Sequence, residues 1–437
     1  MKKNTSNKNY LNRRIFLNNV GTVGALTAIG SPLLSNCSNS SKSMAHVVII
    51  GAGFGGATCA KYLRKLDQNI KVTLIDANAS YKSCPFSNTV LSGIHSIDDL
   101  TFGYDTLQNK HGIEFVNALV TSINHEKSNV QLSDGSKISY DKLVVSPGIA
   151  FTWNSPEGYD ETTAEIMPHA WKAGVQTLLL RKQLEAMDDG GLVAIAPPPK
   201  PFRCPPGPYE RASMIASYLK SHKPNSKILI LDANEKFSKQ ELFMQGWKAR
   251  YPGMIEWVSV TEGGSVQRVD AKRMTIYTDI EEHKVAVANV IPAQTAGNIV
   301  LENGLTDASG WCPVDQKTFE STLIKNIHVL GDAALAGSMP KSASAANSQA
   351  KVCALAITAM LKGEDPGEPS FHNTCYSLVD ADYGISVNAI YGLSEKKIKK
   401  IKGSGGVSPM DVSAEFRANE AKYAKGWFDS ITADTFA

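Results

Sequence analysis

The sequence predicts an α/β chain built from two Rossmann-like dinucleotide-binding domains followed by a C-terminal α+β domain. Three observations carry this expectation. His46-Val47-Val48-Ile49-Ile50 is an apolar run of strand length that ends in Gly51-Ala52-Gly53-Phe54-Gly55-Gly56, and Ala57 to Leu66 then takes helical spacing. Lys71 to Asp76 is a second strand, completing one strand-helix-strand unit of a parallel sheet. Gly191 to Ala196, Glu210 to Lys220 and Lys227 to Asp232 repeat that outline further along. The expected organisation is a leader and spacer over 1–44 and a discontinuous nucleotide-binding domain over 45–155 and 296–366. A second Rossmann-like domain covers 156–295 and a C-terminal domain 367–437. Within the last, Tyr383 to Val387 alternates like a strand, and Lys396 to Gly406 reads as a basic, glycine-rich hinge.

Composition excludes some partners. Before Ala45 stand six basic residues and no acid, so the chain's 45 basic and 42 acidic side chains leave 39 against 42 in the remainder. That balance is no footprint for nucleic acid. The early basic residues belong to an address: Asn12-Arg13-Arg14-Ile15-Phe16-Leu17 is a twin-arginine pattern, and Val20 to Leu34 is apolar and uncharged. The run falls short of the roughly 20 residues a membrane span needs. A periplasmic protein without a transmembrane segment is expected. Leu34-Ser35-Asn36-Cys37 leaves two readings open, a lipoprotein cleavage box that anchors Cys37, or no anchor, since Asn36 is unusual before such a cysteine.

Gly51, Gly53 and Gly56 lie where a dinucleotide loop needs a tight turn, close backbone approach to pyrophosphate, and helix against strand. Asp76, twenty residues past Gly56, is placed to bond the adenosine ribose. Far along the chain, Asn326 to Asp332 is a strand ending in Gly-Asp, and Met339-Pro340-Lys341-Ser342 opens an alanine-rich helix. This pairing resembles the second flavin motif of the glutathione-reductase-like oxidoreductases. The resemblance implies FAD, with Asp332 near its ribityl chain and the helix N-terminus aimed at the isoalloxazine. The second unit reads Ala196-Pro197-Pro198-Pro199-Lys200-Pro201 where a nucleotide loop would stand. Prolines lack the N–H donors a phosphate cradle requires, so NAD(P)H is not the expected electron source.

Four segments carry a narrower resemblance: Ser83-Cys84-Pro85-Phe86-Ser87-Asn88, Pro168 to Gly174, Arg203-Cys204-Pro205-Pro206-Gly207-Pro208-Tyr209-Glu210-Arg211, and Asn373-Thr374-Cys375-Tyr376-Ser377. They resemble the flavoprotein subunit of flavocytochrome c sulfide dehydrogenase. That resemblance implies a thioether from Cys84 to the flavin 8α carbon and a redox disulfide joining Cys204 to Cys375. It implies sulfide as substrate and sulfur or polysulfide as product. Glu210 matches a carboxylate beside the family's disulfide, and equally fits an ordinary helix-start glutamate. Trp427-Phe428 matches a terminal segment that covers the flavin site, and equally fits a core. Cys59, Cys312 and Cys353 read as core cysteines, and no metal site is expected. The seven cysteines include no Cys-x-x-Cys-His, so the c-type cytochrome that the resemblance implies is a separate subunit. Two other functions share these motifs: a sulfide:quinone oxidoreductase, and a non-enzymatic redox or activator subunit of a thiosulfate-oxidising complex.

Overall fold

The computed structural model describes residues 44–437. The expected leader, the twin-arginine motif and Cys37 lie outside the described residues. The chain enters through β1 (His46–Ile50), α1 (Phe54–Leu66) and β2 (Lys71–Asp76), then adds β3 (Glu114–Asn117) and β4 (Lys142–Val145). β1 is apolar on both faces because both are covered, and Val47, Val48 and Ile49 are fully buried. A second parallel unit follows as β5 (Leu192–Ala196), α2 (Gly207–His222), β6 (Lys227–Leu231), α3 (Gln240–Arg250), β7 (Ile255–Val258) and β8 (Val287–Val290). Two short antiparallel strands, Ile149–Phe151 and Gln294–Ala296, pair where the chain leaves the first unit and returns to it.

On its return the chain supplies β9 (Ile327–Val329) and α4 (Ala343–Lys362), and α4 packs on α1. The first sheet runs β9-β4-β1-β2-β3 and the second β7-β6-β5-β8, every pair parallel. Each sheet therefore places its loops and helix N-termini at the carboxyl ends of its strands, where such sheets bind ligands.

The C-terminal part is an antiparallel sheet of β10 (Ser370–Asp380), β11 (Tyr383–Ser394) and β12 (Lys397–Val407), followed by α5 (Ala414–Phe436). The hinge expected over Lys396 to Gly406 is instead this third strand. Gly405 lets the backbones approach, since a Cβ there would sit 2.2 Å from the Asn388 carbonyl oxygen, and the lysines decorate an exposed edge. Helix α5 turns its apolar face inward through Ala421, Ala424, Phe428 and Ile431. The Lys61 ammonium donates to the Ala433 and Asp434 carbonyls at 3.0 Å each, countering the negative end of the helix. Among the described residues no helix is long and apolar enough to cross a membrane.

Candidate active site

At the carboxyl end of the first sheet a cavity of about 360 Å³ runs from the β1 loop to the N-terminus of α4. Gly51 has φ +91°, and a Cβ on Gly56 would lie 1.8 Å from the Gly51 carbonyl oxygen, so turn and helix fit only as glycines. Gly53 lies against the Tyr81 ring, leaving backbone as the cavity wall. Asp76 also lines the cavity, its Oδ2 accepting from the Ala52 amide at 2.8 Å and its Oδ1 from the Asn78 amide at 2.8 Å. Across the cavity lies Asp332, whose Oδ1 is buried with no hydrogen-bond partner in the protein. An orphaned carboxylate oxygen beside a glycine cradle fits the hydroxyl-rich chain and pyrophosphate of a flavin dinucleotide. Burial raises the Asp332 pKa, opposed by the Arg203 and Lys341 cations. Lys341 donates to the Asp332 carbonyl at 2.6 Å and lies 3.6 Å from the Trp311 ring centroid, and burial pulls its pKa down to about 8.

A second, smaller cavity of about 90 Å³ abuts the first and shares Cys84, Pro85, Arg203, Ser342 and Ala343 with it. Cys204, Glu210, Cys375 and Trp427 also line it. Cys84 stands at the junction, its Sγ 3.7 Å from the Trp171 carbonyl oxygen. Cys204 and Cys375 come from the loop before α2 and from β10, and both are free thiols in this structure. Cys204 sits at φ +55°, held by its amide on the Lys341 carbonyl at 2.8 Å. Gly207 lets α2 begin there, for its Cβ would meet the Trp171 ring at 2.7 Å and Cys204 Sγ at 3.1 Å. Burial raises the pKa of both thiols. For Cys204 its neighbours Cys375 and Glu210 add to the rise; for Cys375 the Lys239 cation opposes it.

Glu210 faces this cavity, and both oxygens are engaged: Oε1 accepts from the Leu378 amide at 2.8 Å and Oε2 from Asn88 Nδ2 at 3.0 Å. Its surroundings raise its pKa by burial, against the pull of those donors and of Lys239 and Arg211. Arg211 is buried among Asn88 Oδ1, the His169 carbonyl and Asn289 Oδ1, at 3.1, 2.8 and 2.9 Å. It thus ties the segments around Asn88, His169 and α2 into one wall. Trp427 lines the thiol cavity, while its neighbour Phe428 stacks on Phe86 with centroids 4.5 Å apart. Cys59, Cys312 and Cys353 are fully buried.

The structure adds Asn88, Arg203, Arg211 and Lys239 to the surroundings of the thiols, residues to which the sequence alone assigns no role. The first three lie within the segments around Cys84 and Cys204, and their type, buried-capable donors beside thiols, was the available signal. Lys239 stands in no motif.

In the second unit, β5 ends in the proline loop, and Asp232 follows β6 where Asp76 closes β2. Asp232 is fully buried: Oδ2 accepts from Tyr209 Oη at 2.6 Å and Trp257 Nε1 at 2.9 Å, Oδ1 from the Asn234 amide and Nδ2 at 2.9 Å each. Four bonds fill a carboxylate's acceptor capacity. Tyr209 stacks on Phe237 at 3.7 Å between centroids, closing that end of the sheet.

The fold and these two joined cavities define an FAD-dependent oxidoreductase with two dinucleotide-type domains. Residues 45–173 match the pyridine nucleotide-disulphide oxidoreductase family profile. Residues 177–292 match that of the sulfide dehydrogenase (flavocytochrome c) flavoprotein chain, central, and 367–436 that of flavocytochrome c sulphide dehydrogenase, flavin-binding. The sulfide dehydrogenase (flavocytochrome c) flavoprotein chain of Chlorobaculum thiosulfatiphilum is 59% identical over 45 residues, 10% of this chain and 94% of that sequence. The chain belongs to the flavocytochrome c sulfide dehydrogenase flavoprotein family. A sulfide-quinone reductase of Aquifex aeolicus is 33% identical over 121 residues, an alignment that spans only 28% of each chain. The solved sulfide:quinone oxidoreductase of the same organism shares the fold at TM-score 0.69 and 17% identity, covering 90% of this chain and 92% of that one.

Proposed function

We propose that this chain is a periplasmic sulfide dehydrogenase that oxidises sulfide at a Cys204–Cys375 disulfide and passes the electrons through FAD, linked to Cys84, to a separate c-type cytochrome. The observation that carries this reading is the shared wall: two cysteines 171 residues apart line one small cavity with Glu210, and Cys84 joins that cavity to the flavin cavity. The β1 loop, Asp76 and Asp332, which line the larger cavity, would hold FAD, and FAD would supply a two-electron acceptor that can release electrons singly.

The chain's own residues do the sulfur chemistry. Hydrosulfide attacks one sulfur of the cystine; the S–S bond breaks, a new S–S bond makes a persulfide, and the other cysteine becomes a thiolate. Re-forming the cystine from persulfide and thiolate would release one zero-valent sulfur, one proton and two electrons, which bound FAD would accept. Glu210, which lines the same cavity and whose pKa burial raises, would take the proton. The apolar walls from Trp171, Trp427 and Phe86 keep water from the persulfide. The twin-arginine pattern supports export of the folded, cofactor-loaded chain.

Anaerobic sulfide titration of the C204S and C375S variants tests this. Each should keep its flavin while flavin bleaching by sulfide slows on the order of 10³-fold or more, as for loss of a nucleophilic unit. Bleaching at the parent rate in either variant would remove the disulfide from the mechanism. Full turnover with a quinone and no cytochrome would replace the cytochrome as acceptor.

A further inference from the structure

Lys239 combines three unfavourable features. It is buried, it adopts φ +61°, and it stands at the N-terminus of α3, where the helix dipole repels a cation. Buried ammonium groups are ordinarily paired with a carboxylate. Among the described residues no carboxylate lies within 4.0 Å of this one, and its hydrogen bonds go to neutral oxygens. Nζ donates to Ser377 Oγ at 2.9 Å and to the Cys375 carbonyl at 3.3 Å, both on β10. The left-handed turn at Lys239 therefore brings a cation from the second Rossmann-like unit to the strand that carries Cys375. A buried positive charge with no carboxylate in contact, bonded to the strand that carries Cys375 and within electrostatic reach of Cys375 and Glu210, has a use where sulfide chemistry would create a negative charge.

We propose that Lys239 is a positioning residue of the thiol site: its ammonium, tethered to Ser377 and the Cys375 carbonyl, supplies the charge against which Cys375 departs as a thiolate when hydrosulfide opens the disulfide. The inference rests on the Cys204–Cys375 disulfide of the proposed function and adds the direction of opening. Hydrosulfide bonds to Cys204 Sγ, the bond to Cys375 Sγ breaks, and its electron pair stays on Cys375. Disulfide exchange favours departure of the sulfur with the lower thiol pKa. Lys239 is the foremost influence lowering that of Cys375, whereas on Cys204 it ranks behind Arg203. The other charged or titratable groups lining the cavity of these two cysteines are Glu210 and Arg211 on α2, Arg203 on the preceding loop, Cys84 at the junction with the flavin cavity and Tyr376 on β10.

The test uses the flavin-loaded protein, reduced anaerobically, with iodoacetamide alkylation of Cys375 followed by peptide mass across a pH series. In K239Q the midpoint should rise by about one pH unit or more, with flavin bleaching by sulfide about tenfold slower near neutral pH. K239R should restore most of both. S377A, which frees the ammonium from its tether, should move the midpoint the same way by less, and decides the matter if K239Q does not fold. An unmoved midpoint in folded, flavin-loaded variant protein overturns the role of Lys239. If C375S bleaches at the parent rate, the disulfide reading itself falls; if C375S is inactive while the midpoint stays fixed, only Lys239 does.

Discussion

Replacing Glu210 by glutamine separates its chemistry from its architecture. The carboxylate accepts from the Leu378 amide on one oxygen and from Asn88 Nδ2 on the other. Glutamine keeps one acceptor and turns an NH₂ toward the other donor. Leaving one enclosed donor unmatched costs about 1–3 kcal/mol, reduced by the relief of no longer enclosing a charge. Because the folded pKa is raised, Glu210 contributes its stability fully below its unfolded pKa and loses it as pH rises through the folded value. The stability deficit of E210Q should accordingly be largest in acid and shrink toward neutral pH. Catalysis should suffer more: losing a positioned proton acceptor lowers the rate of sulfide-dependent flavin reduction about 10²–10⁴-fold. Stopped-flow bleaching from about pH 5 to about pH 9, run on parent and variant, is the assay. Ionisation of hydrosulfide is common to both proteins, so the ratio of their rates is the informative quantity. That ratio should climb with pH until Glu210 is ionised and then level, with its midpoint above the ordinary glutamate range. A ratio flat across the series would show that Glu210 serves only to hold Asn88 and Leu378.

Two further outcomes follow from the same geometry. Protein denatured in acid should retain yellow flavin on the polypeptide, and C84S should release it; flavin retained by denatured C84S would move the linkage elsewhere. Stoichiometric NADH, added without oxygen, should leave the flavin oxidised for far longer than sulfide does, because the Asp232 carboxylate is already saturated by Tyr209, Trp257 and Asn234; rapid bleaching would show that the second unit admits a nucleotide after all.

The flavin half was legible in the sequence because its determinants are local. Gly51, Gly53, Gly56 and Asp76 fall within one strand-helix-strand unit, and each glycine answers to a contact with the same short stretch or with Tyr81 and Ser146 nearby. The thiol site is different in kind: Cys204 and Cys375 meet only because β10 packs beside α2, a tertiary fact that no spacing encodes. Family resemblance linked them where periodicity had nothing to say. The basic stretch Lys396 to Gly406 misled because glycine and lysine are depleted in strands on average, whereas an edge strand tolerates both. Lys239 was invisible for a further reason. Its reach depends on one left-handed residue, and an isolated lysine after a serine gives no sign of the turn it will make.

The two Rossmann-like units share one architecture and differ in what closes the carboxyl end of each sheet. Each has a strand followed by a loop, a helix, and a further strand closed by an aspartate, so each offers the same places for pyrophosphate and ribose. In the first, Asp76 faces the cavity and glycines leave the loop open. In the second, prolines remove the donors of the loop, and Tyr209, Phe237 and Trp257 gather about Asp232. The helix that would have begun with a phosphate cradle begins instead with Gly207, one turn past Cys204, and carries Glu210 and Arg211 in its first turns. Its N-terminus points at sulfur rather than phosphate, and the helix dipole there favours negative charge of either kind. On the proposed mechanism, substrate electrons would enter through Cys204 and Cys375, which line the small cavity that abuts the flavin cavity. Restoring a glycine loop in place of Pro197 to Pro199 would not by itself recover nucleotide binding, because the buried Asp232 cluster would still occupy the ribose end.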